Sequence, residues 1–264
     1  MEVASNLEAP TGSATEAIVT LAGVGKTFEN GTEAIAGVDL AVQRGEFLAL
    51  LGPSGCGKST ILRLISGLDA PTSGRIAWAG AGARPDVGFV FQEPTLMPWA
   101  RVFENVWLPL RLKGVGRRAA TPRVEEALES VGLADFARAF PRELSGGMKM
   151  RVSIARALAT DPAVLLLDEP FAALDEITRF KLNDDLLALW SSRGWTIVFV
   201  THSVFESVYL STRIAVMTRR PGRVATVIDV DEPSPRSADF RLTPAYAALA
   251  RRTSEALAAA MGEA

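Results

Sequence analysis

The glycine-rich segment GPSGCGKS at residues 52–59 constrains the fold of this chain more than any other feature. It fills every fixed position of the pattern G-x-x-x-x-G-K-[ST], in which backbone N–H groups surround phosphate oxygens. The apolar run 47–51 precedes it, and a helical pattern over 58–66 follows it. A strand therefore enters the loop and a helix leaves it, so the positive end of the helix dipole points at the phosphates. This order predicts an α/β fold built around a phosphate-binding loop.

The loop supplies most of the candidate ligands for a nucleotide. Its glycines reach the backbone conformations of a tight turn without the strain that a side chain would add. Lys58 offers a point charge to the β- and γ-phosphates, and the Ser59 hydroxyl offers an oxygen to Mg²⁺. The nucleotide-binding residues predicted from this segment are Gly52, Pro53, Ser54, Gly55, Cys56, Gly57, Lys58, Ser59 and Thr60.

A pair of carboxylates follows a second apolar run. Residues 163–167 are typical of a buried parallel strand, and Asp168 and Glu169 come at its end. Ligands of open α/β sheets gather at the carboxyl ends of the strands. We therefore expect Asp168 to hold Mg²⁺ and Glu169 to polarise the water that attacks the γ-phosphate. An ordinary helix start at these two residues is the structural alternative.

The chain contains one histidine, His202, which follows the strand-like run 195–200. A single histidine is often a packed or surface residue. Here it comes just beyond a strand end, where the carboxyl edge of the sheet would carry the phosphate site. This position favours a catalytic histidine that bonds the γ-phosphate.

A second glycine-rich turn, LSGGM at residues 144–148, precedes a segment with apolar residues at every fourth position. Ser145, Gly146 and Gly147 therefore start a helix whose N-terminus is available to another anion. At the next position, Met148 either adjusts this site or simply packs against the core.

Taken in order, these segments resemble the ATP-binding subunit of an ABC transporter, over residues 18–230. The resemblance adds Phe28 as the aromatic residue that stacks on adenine, Gln92 in FVFQEP, and Asp175 in AALD. It implies an α/β P-loop NTPase core of the ABC ATPase type, with a β-rich flank and an inserted helical subdomain. It implies ATP and Mg²⁺ as cofactors. The catalytic residues that it implies are Glu169, His202 and Gln92. The implied Mg²⁺ ligands are Ser59, Gln92 and Asp168.

The resemblance also implies partners. ATP would lie between two copies arranged head to tail, each contacted by Ser145, Gly146, Gly147 and Asp175 of the other copy. The segments TLMPWARVFENVWLPL and LLLDEPFAALDEITRFKLNDDLLALW resemble ATPases of nitrate/sulfonate/taurine importers. Such an ATPase lies on the cytoplasmic face of the inner membrane and works with an integral membrane permease and a periplasmic or extracellular substrate-binding protein.

Three interpretations stay open. An exporter or lipoprotein-release ATPase would share the same core. A soluble ABC ATPase acting on DNA or ribosomes is disfavoured, because 110 residues separate Lys58 from Asp168 and only one ATPase core is present. The resemblance puts residues 97–99 in the groove for a membrane-subunit helix, with Trp99 as core filler the alternative.

Composition excludes several classes of protein. The formal net charge is −2, which does not indicate nucleic acid as a partner. The one cysteine, Cys56, cannot form an intrachain disulfide, and its expected role is a small side chain within the loop. No apolar run approaches the ~18 residues of a membrane span, and the polar N-terminus does not resemble a signal peptide.

The pattern along the chain predicts a disordered tail over 1–16, an ATPase domain over 17–230 and a C-terminal linker and helix over 231–264. Within the ATPase domain, strands are expected at 17–22, 38–42, 47–51, 75–78 and 87–91. A helical subdomain is expected at about 93–160, including a helix with Thr121 as its N-cap and Pro122 at its first position. A strand pair is expected around 221–222 and a final helix over 244–261, which either packs on the domain or contacts a partner.

Overall fold

The computed structural model describes residues 16–80, 84–233 and 236–262. Of the predicted N-terminal tail, only Glu16 falls within these residues. The strands are β1 (Ala17–Thr27), β2 (Glu33–Gln43), β3 (Phe47–Leu51), β4 (Ser73–Trp78), β5 (Val87–Val90), β6 (Val164–Asp168), β7 (Thr196–Thr201), β8 (Arg213–Met217) and β9 (Val224–Asp229). The helices are α1 (Lys58–Ser66), α2 (Val102–Leu112), α3 (Arg117–Ser130), α4 (Gly146–Leu158), α5 (Glu176–Arg193), α6 (Val204–Leu210) and α7 (Pro244–Met261).

The strands form two sheets. A six-stranded sheet has the order β5-β6-β7-β3-β8-β9, in which only the pair β8 and β9 is antiparallel. A three-stranded antiparallel sheet has the order β2-β1-β4. The fold is therefore mixed α/β, with a β-rich flank beside a mostly parallel core, as the sequence predicts.

The parallel strands are buried on both faces. Along β3, Phe47, Ala49 and Leu51 pack into one apolar cluster while Leu48 and Leu50 pack into another. Successive side chains of a strand point to opposite faces, so these two clusters cover the two sides of the sheet. The rigid centre thus holds the carboxyl ends of β3, β6 and β7 at one edge, where the loops after them meet.

Between β5 and β6 the chain forms α2, α3 and α4 with short 3₁₀ turns. Buried residues of these helices, including Val106, Val124 and Leu128, join the same apolar cluster as Phe47. The helices therefore pack as an extension of the core. Among the described residues, no helix is both long and apolar enough to cross a membrane.

The predicted start of α3 is wrong. The helix begins at Arg117 after Gly116, so Thr121 and Pro122 lie inside it. The Thr121 hydroxyl donates to the Arg117 carbonyl instead of capping the helix. Ala120 is fully buried, and its packing draws the preceding residues into the helix despite the proline two residues later.

Strands β1 and β2 are longer than their sequence patterns predict. Each contains a glycine with positive φ, Gly23 and Gly37, and the pairing between the strands shifts register between Leu21 and Val24. Such irregularities let one strand continue after its alternation of apolar and polar residues is broken. The sequence pattern ends at the break, whereas the strands do not.

The C-terminal segment packs on the ATPase core. Arg236, which is only 6% exposed, donates to the carbonyl oxygens of Val208, Tyr209 and Ser211 at the end of α6. Helix α7 begins after Thr243, as predicted, with the Thr243 hydroxyl accepting from the Tyr246 N–H. These contacts anchor the segment to the helix that follows the histidine.

Candidate active site

The phosphate loop is a tight turn between β3 and α1. Gly57 has φ of 101°, and a Cβ atom there would lie 2.4 Å from Ile35 Cγ2 and 2.9 Å from the Ala34 carbonyl. Only glycine fits such a conformation at such a close approach. Helix α1 starts at the next residue, so its free N–H groups face the space within the loop.

Lys58 is held inside the loop. Its side chain is 3% exposed, and Nζ donates to the carbonyl oxygens of Gly52 at 2.7 Å and Pro53 at 2.9 Å. Glu169 Oε1 lies 3.7 Å from the same nitrogen. A buried ammonium whose hydrogen bonds go to carbonyl oxygens is a preformed anion site, because a charged phosphate can replace these neutral acceptors.

Ser59 and the acidic pair meet across the sheet edge. Ser59 Oγ donates to Asp168 Oδ1 at 2.7 Å, although 109 residues separate them. Burial raises the pKa of Asp168, while the hydrogen bond from Ser59 opposes this rise. Glu169 has φ of 44°, and its N–H donates to the Val200 carbonyl of β7. The backbone therefore turns sharply at Glu169 and directs the two carboxylates differently.

His202 lies beside the second carboxylate. Its Nδ1 is 3.2 Å from Glu169 Oε2, and its side chain is half exposed. The neighbouring Thr201 hydroxyl accepts from the Ser203 N–H at 2.9 Å and donates to Glu206 at 2.6 Å. The histidine is thus carried on a turn that is pinned on both sides, between β7 and α6.

A cavity of about 330 Å³ opens at this edge. The predicted site residues that line it are Phe28, Ser54, Gly55, Gly57, Lys58, Ser59, Thr60, Gln92 and Glu169. The other predicted residues bond to residues of the lining. Gly52 and Pro53 accept from Lys58, Asp168 accepts from Ser59, and His202 lies within hydrogen-bond distance of Glu169. The lining of the cavity therefore combines an aromatic ring, the Lys58 ammonium and the Glu169 carboxylate.

Cys56 does not line the cavity. Its side chain is 1% exposed, and burial raises the pKa of its thiol, although nearby Lys58 opposes the rise. A Cβ atom at Gly222 would lie 1.9 Å from the Cys56 carbonyl oxygen, so the turn between β8 and β9 packs directly on the loop. Cys56 therefore packs in the apolar core beneath the phosphate loop.

The sequence analysis missed Arg220, which lies in that turn. Arg220 Nε donates to the Gly55 carbonyl at 3.0 Å, and its side chain lines the cavity together with Phe28. Its only sequence signal is the basic run before Pro221, which has no fixed spacing from the phosphate loop. An exposed guanidinium at this point adds a second positive charge to the mouth of the cavity.

The residues predicted to contact the ATP of a second copy lie away from the cavity, at the starts of α4 and α5. Ser145 caps α4 by accepting from the Met148 N–H, and Asp175 caps α5 by accepting from the Thr178 N–H. The hydrogen bond from Thr178 holds the pKa of the exposed Asp175 carboxyl below its usual range. Gly147 is buried, and a Cβ atom there would lie 2.8 Å from Thr178 Cγ2. Within the described part of the chain, these residues do not line the cavity at the phosphate loop.

Two side chains, one half-buried and one fully buried, fix the segment after Gln92. Arg156 of α4 donates to the carbonyl oxygens of Pro94 and Thr95, and the fully buried Asn105 of α2 bonds both the N–H and the carbonyl of Met97. The sequence analysis missed both, because neither belongs to a recognisable motif.

Met148 is partly buried against the apolar core, which favours the packing interpretation. Trp99 is 77% exposed, and the core-filler alternative is wrong because its ring has little to pack against. The loop held by Asn105 instead presents the ring to solvent.

Known proteins share this architecture. The family described as ABC transporter matches residues 35–172. An uncharacterized ABC transporter ATP-binding protein of Methanocaldococcus jannaschii is 48% identical over 217 residues, which cover 80% of this chain and 81% of that protein. The aliphatic sulfonates import ATP-binding protein SsuB of Bacillus licheniformis is 46% identical over 227 residues, covering 84% and 87%.

A solved structure gives the same answer for the fold. It is a dimeric ATP-binding cassette in a post-hydrolysis state bound to ADP and Pi, with a TM-score of 0.71, 35% identity, and coverage of 81% of this chain and 100% of the other. Because the family match spans more than half of the chain and the relatives span four fifths of it, this chain belongs to the ABC transporter family and is an ATP-binding, ATP-hydrolysing component of that machinery.

Proposed function

We propose that this chain powers an importer of small solutes, of the nitrate/sulfonate/taurine type, through ATP-driven closure of a head-to-tail dimer. The observation that carries the catalytic part is the convergence of Lys58, Ser59, Asp168, Glu169 and His202 at one edge of the sheet. The name of the SsuB relative supports the importer assignment and the solute class.

Different residues bind the nucleotide and activate the attacking water. Phe28 stacks on adenine, while Lys58, the loop N–H groups and the start of α1 bind the phosphates. Glu169 orients the attacking water and accepts its proton, and His202 holds the γ-phosphate and keeps Glu169 in line. Arg220 is an additional cation at the mouth of the site.

The oxygen donors at this edge fit Mg²⁺. Ser59 and Asp168 already lie 2.7 Å apart, and Gln92 lines the same cavity, so hydroxyl, carboxylate and amide oxygens are available. When bound, the ion would neutralise charge on the phosphates. The raised pKa of Asp168 is consistent with a buried carboxylate that gains from a cation partner.

The second half of each site is assigned to another copy of the chain. Ser145, Gly146 and Asp175 are exposed at helix starts, where N–H groups and a cap can face a γ-phosphate bound by the partner. Two such sites form in a twofold dimer. The dimeric state named for the solved relative supports this arrangement.

The remaining partners are an integral membrane permease and a periplasmic or extracellular binding protein, which place the ATPase on the cytoplasmic face of the inner membrane. A cavity of about 300 Å³ beside the loop after Gln92 is lined by Phe91, Leu108 and Leu112, and Trp99 is exposed on that loop. We assign this region to a helix of the permease. An exporter ATPase is the alternative, and copurification of a binding protein with a retained solute, identified by mass spectrometry, distinguishes the two.

One experiment tests hydrolysis and dimerisation together. Glu169→Gln should bind ATP but lose about 10² to 10⁴ in turnover, because an amide cannot accept the proton. It should then accumulate as an ATP-bound dimer in size-exclusion chromatography with light scattering. Adding Ser145→Arg should abolish that dimer while ATP binding to the monomer persists. Normal turnover in Glu169→Gln would contradict the assigned base, and a dimer that survives Ser145→Arg would contradict the shared site.

A further inference from the structure

A second cavity, larger than the nucleotide cavity, lies between the C-terminal segment and the core. Its volume is about 700 Å³, within the roughly 300–1,000 Å³ range of small-molecule sites. Its walls come from α5, α6, the 3₁₀ segment Ala238–Leu242 and the start of α7. It therefore exists only because the C-terminal segment folds back on the core.

Aromatic rings form much of this wall. Phe205 and Tyr246 stack at 6.3 Å between ring centroids, and the Tyr246 hydroxyl donates to the Phe205 carbonyl. Phe180 and Phe205 are 41% and 63% exposed, although each faces the cavity. Exposed aromatic faces around a concave site attract apolar groups and cations.

The charged groups of the cavity leave negative charge without a partner. Arg241 is bonded to Asp184 at 2.7 Å, and the Arg179 guanidinium donates to the Leu174 carbonyl. Arg179 also forms an ion pair with Glu206 at 3.8 Å, although its buried Nε atom makes no hydrogen bond. By contrast, Glu176 and Asp239 line the cavity and form no ion pair within the described part of the chain.

Two buried acceptors add to this imbalance. Asn183, which is 2% exposed, lines the cavity, and its Oδ1 atom has no hydrogen-bond partner. The Oε1 atom of Glu206 also has none, although Arg179 lies 3.8 Å away. Burial raises the pKa of Glu206. A buried acceptor without a donor costs free energy that a ligand can recover.

We infer that this cavity is a binding site for a small organic cation, namely a protonated amine carrying an aromatic or apolar body. The rings receive the body of the ligand. The ammonium group supplies N–H donors to the unbonded oxygen atoms of Asn183 and Glu206. Its positive charge balances the carboxylates of Glu176 and Asp239. A carboxylate or phosphate ligand is disfavoured, because both arginines of the cavity are already paired.

The site is linked to the candidate catalytic histidine. Glu206, in the cavity wall, accepts from the Thr201 hydroxyl at 2.6 Å, and Thr201 precedes His202 directly. Ser203, also in the wall, follows His202 and caps α6. A ligand in the cavity therefore changes the position of His202 and, through it, the rate of ATP hydrolysis. This second part of the inference rests on the proposed function.

Binding is tested with three probes of similar shape and different charge: tryptamine, tryptophol and indole-3-acetate, measured on the full chain by calorimetry and ligand-observed NMR. Tryptamine should bind at least about tenfold more tightly than the neutral and anionic probes. The double variant Glu176→Gln/Asp239→Asn should weaken tryptamine about tenfold. Glu125→Gln, which removes an exposed carboxylate from α3, should leave its binding unchanged.

Saturating ADP should not displace tryptamine. Displacement by ADP would show that tryptamine binds in the nucleotide cavity and would contradict the proposed site. Equal binding of all three probes, equal binding by the double variant, or no binding at millimolar probe would overturn it as well. Thermal melting of the double variant verifies that the fold is intact, since both substituted side chains are exposed.

The link to His202 is tested by the ATP hydrolysis rate. Saturating tryptamine should change the rate of the wild-type chain, and the double variant should need about tenfold more tryptamine for the same change. An unchanged wild-type rate would overturn the link while the binding result stands. If the chain hydrolyses no ATP at all, the proposed function fails, and the binding measurements still decide whether the cavity takes an amine.

Discussion

At the scale of single residues, the site is defined by groups that are buried or strained before any nucleotide arrives. Lys58 is turned onto its own loop, and Glu169 is held at positive φ beside His202. Preorganised charges of this kind stabilise the developing charge of a transition state without further rearrangement. Arg220 adds a positive charge to the site from outside the recognised sequence motifs.

Arg220→Ala should weaken nucleotide binding about tenfold, since one charge-assisted contact contributes about 1.5–3 kcal/mol. Titration of ADP into the isolated chain measures the effect. Arg223→Ala is the matched control, because Arg223 lies in the same turn and does not line the cavity. Equal affinities for the Arg220 variant and wild type would limit Arg220 to a structural role on the loop.

Cys56 should react slowly with thiol reagents. It is 1% exposed, and its raised pKa lowers the thiolate fraction at neutral pH, so alkylation should accelerate as pH rises above the ordinary thiol range. Mass spectrometry of maleimide adducts measures the rate, with urea-unfolded chain as the reference. A folded rate as high as the unfolded rate would mean that the loop opens readily.

At the scale of elements, the starts of α4 and α5 are packed against each other. Ser145 and Asp175 cap these helices, and Gly147 meets Thr178 without room for a Cβ atom. The glycine of the LSGGM segment therefore has a packing role in addition to the phosphate contact proposed for it. The starts of α4 and α5 are therefore held as one unit.

Gly147→Ala should destabilise the fold by about 1–3 kcal/mol, because the added methyl group overpacks this contact. In thermal melting, the expected loss is about 2–4 °C per kcal/mol. Thr178→Ser removes the Cγ2 atom that the new methyl would strike, so the double variant should recover most of the loss. Absence of recovery would show that the strain arises elsewhere.

At the scale of the whole molecule, we propose that two surfaces carry the effect of ATP hydrolysis to other molecules. Buried Asn105 and half-buried Arg156 hold the loop after Gln92, and Trp99 on that loop projects into solvent. The C-terminal segment bonds to the end of α6, the helix that follows His202. Both surfaces begin within a few residues of the nucleotide site. Changes at the phosphates can therefore reach either surface through short, packed connections.

Trp99→Ala should reduce association with the permease by about 2 kcal/mol or more, since it removes an exposed aromatic anchor. Copurification and solute-stimulated hydrolysis should fall, while basal hydrolysis and the melting temperature should stay close to wild type. Leu68→Ala, at another exposed apolar side chain, is the control. Normal copurification of the Trp99 variant would contradict the assigned surface.

The local motifs were determined by the sequence alone. The strand, loop and helix around Lys58, the carboxylates at the end of β6 and the helix start at residues 145–147 were all predicted, because each depends on neighbours within a few residues. The same reasoning misplaced the start of α3, where burial of Ala120 outweighs the local signal of Thr121 and Pro122.

Tertiary structure decided what distant segments build together. Arg220 reaches Gly55 across 165 residues, and Arg156 reaches Thr95 across 61. The second cavity likewise needs α5, α6 and the C-terminal segment at once. No local pattern encodes these contacts, because they arise when a twisted parallel sheet brings its strand ends and their loops to one edge.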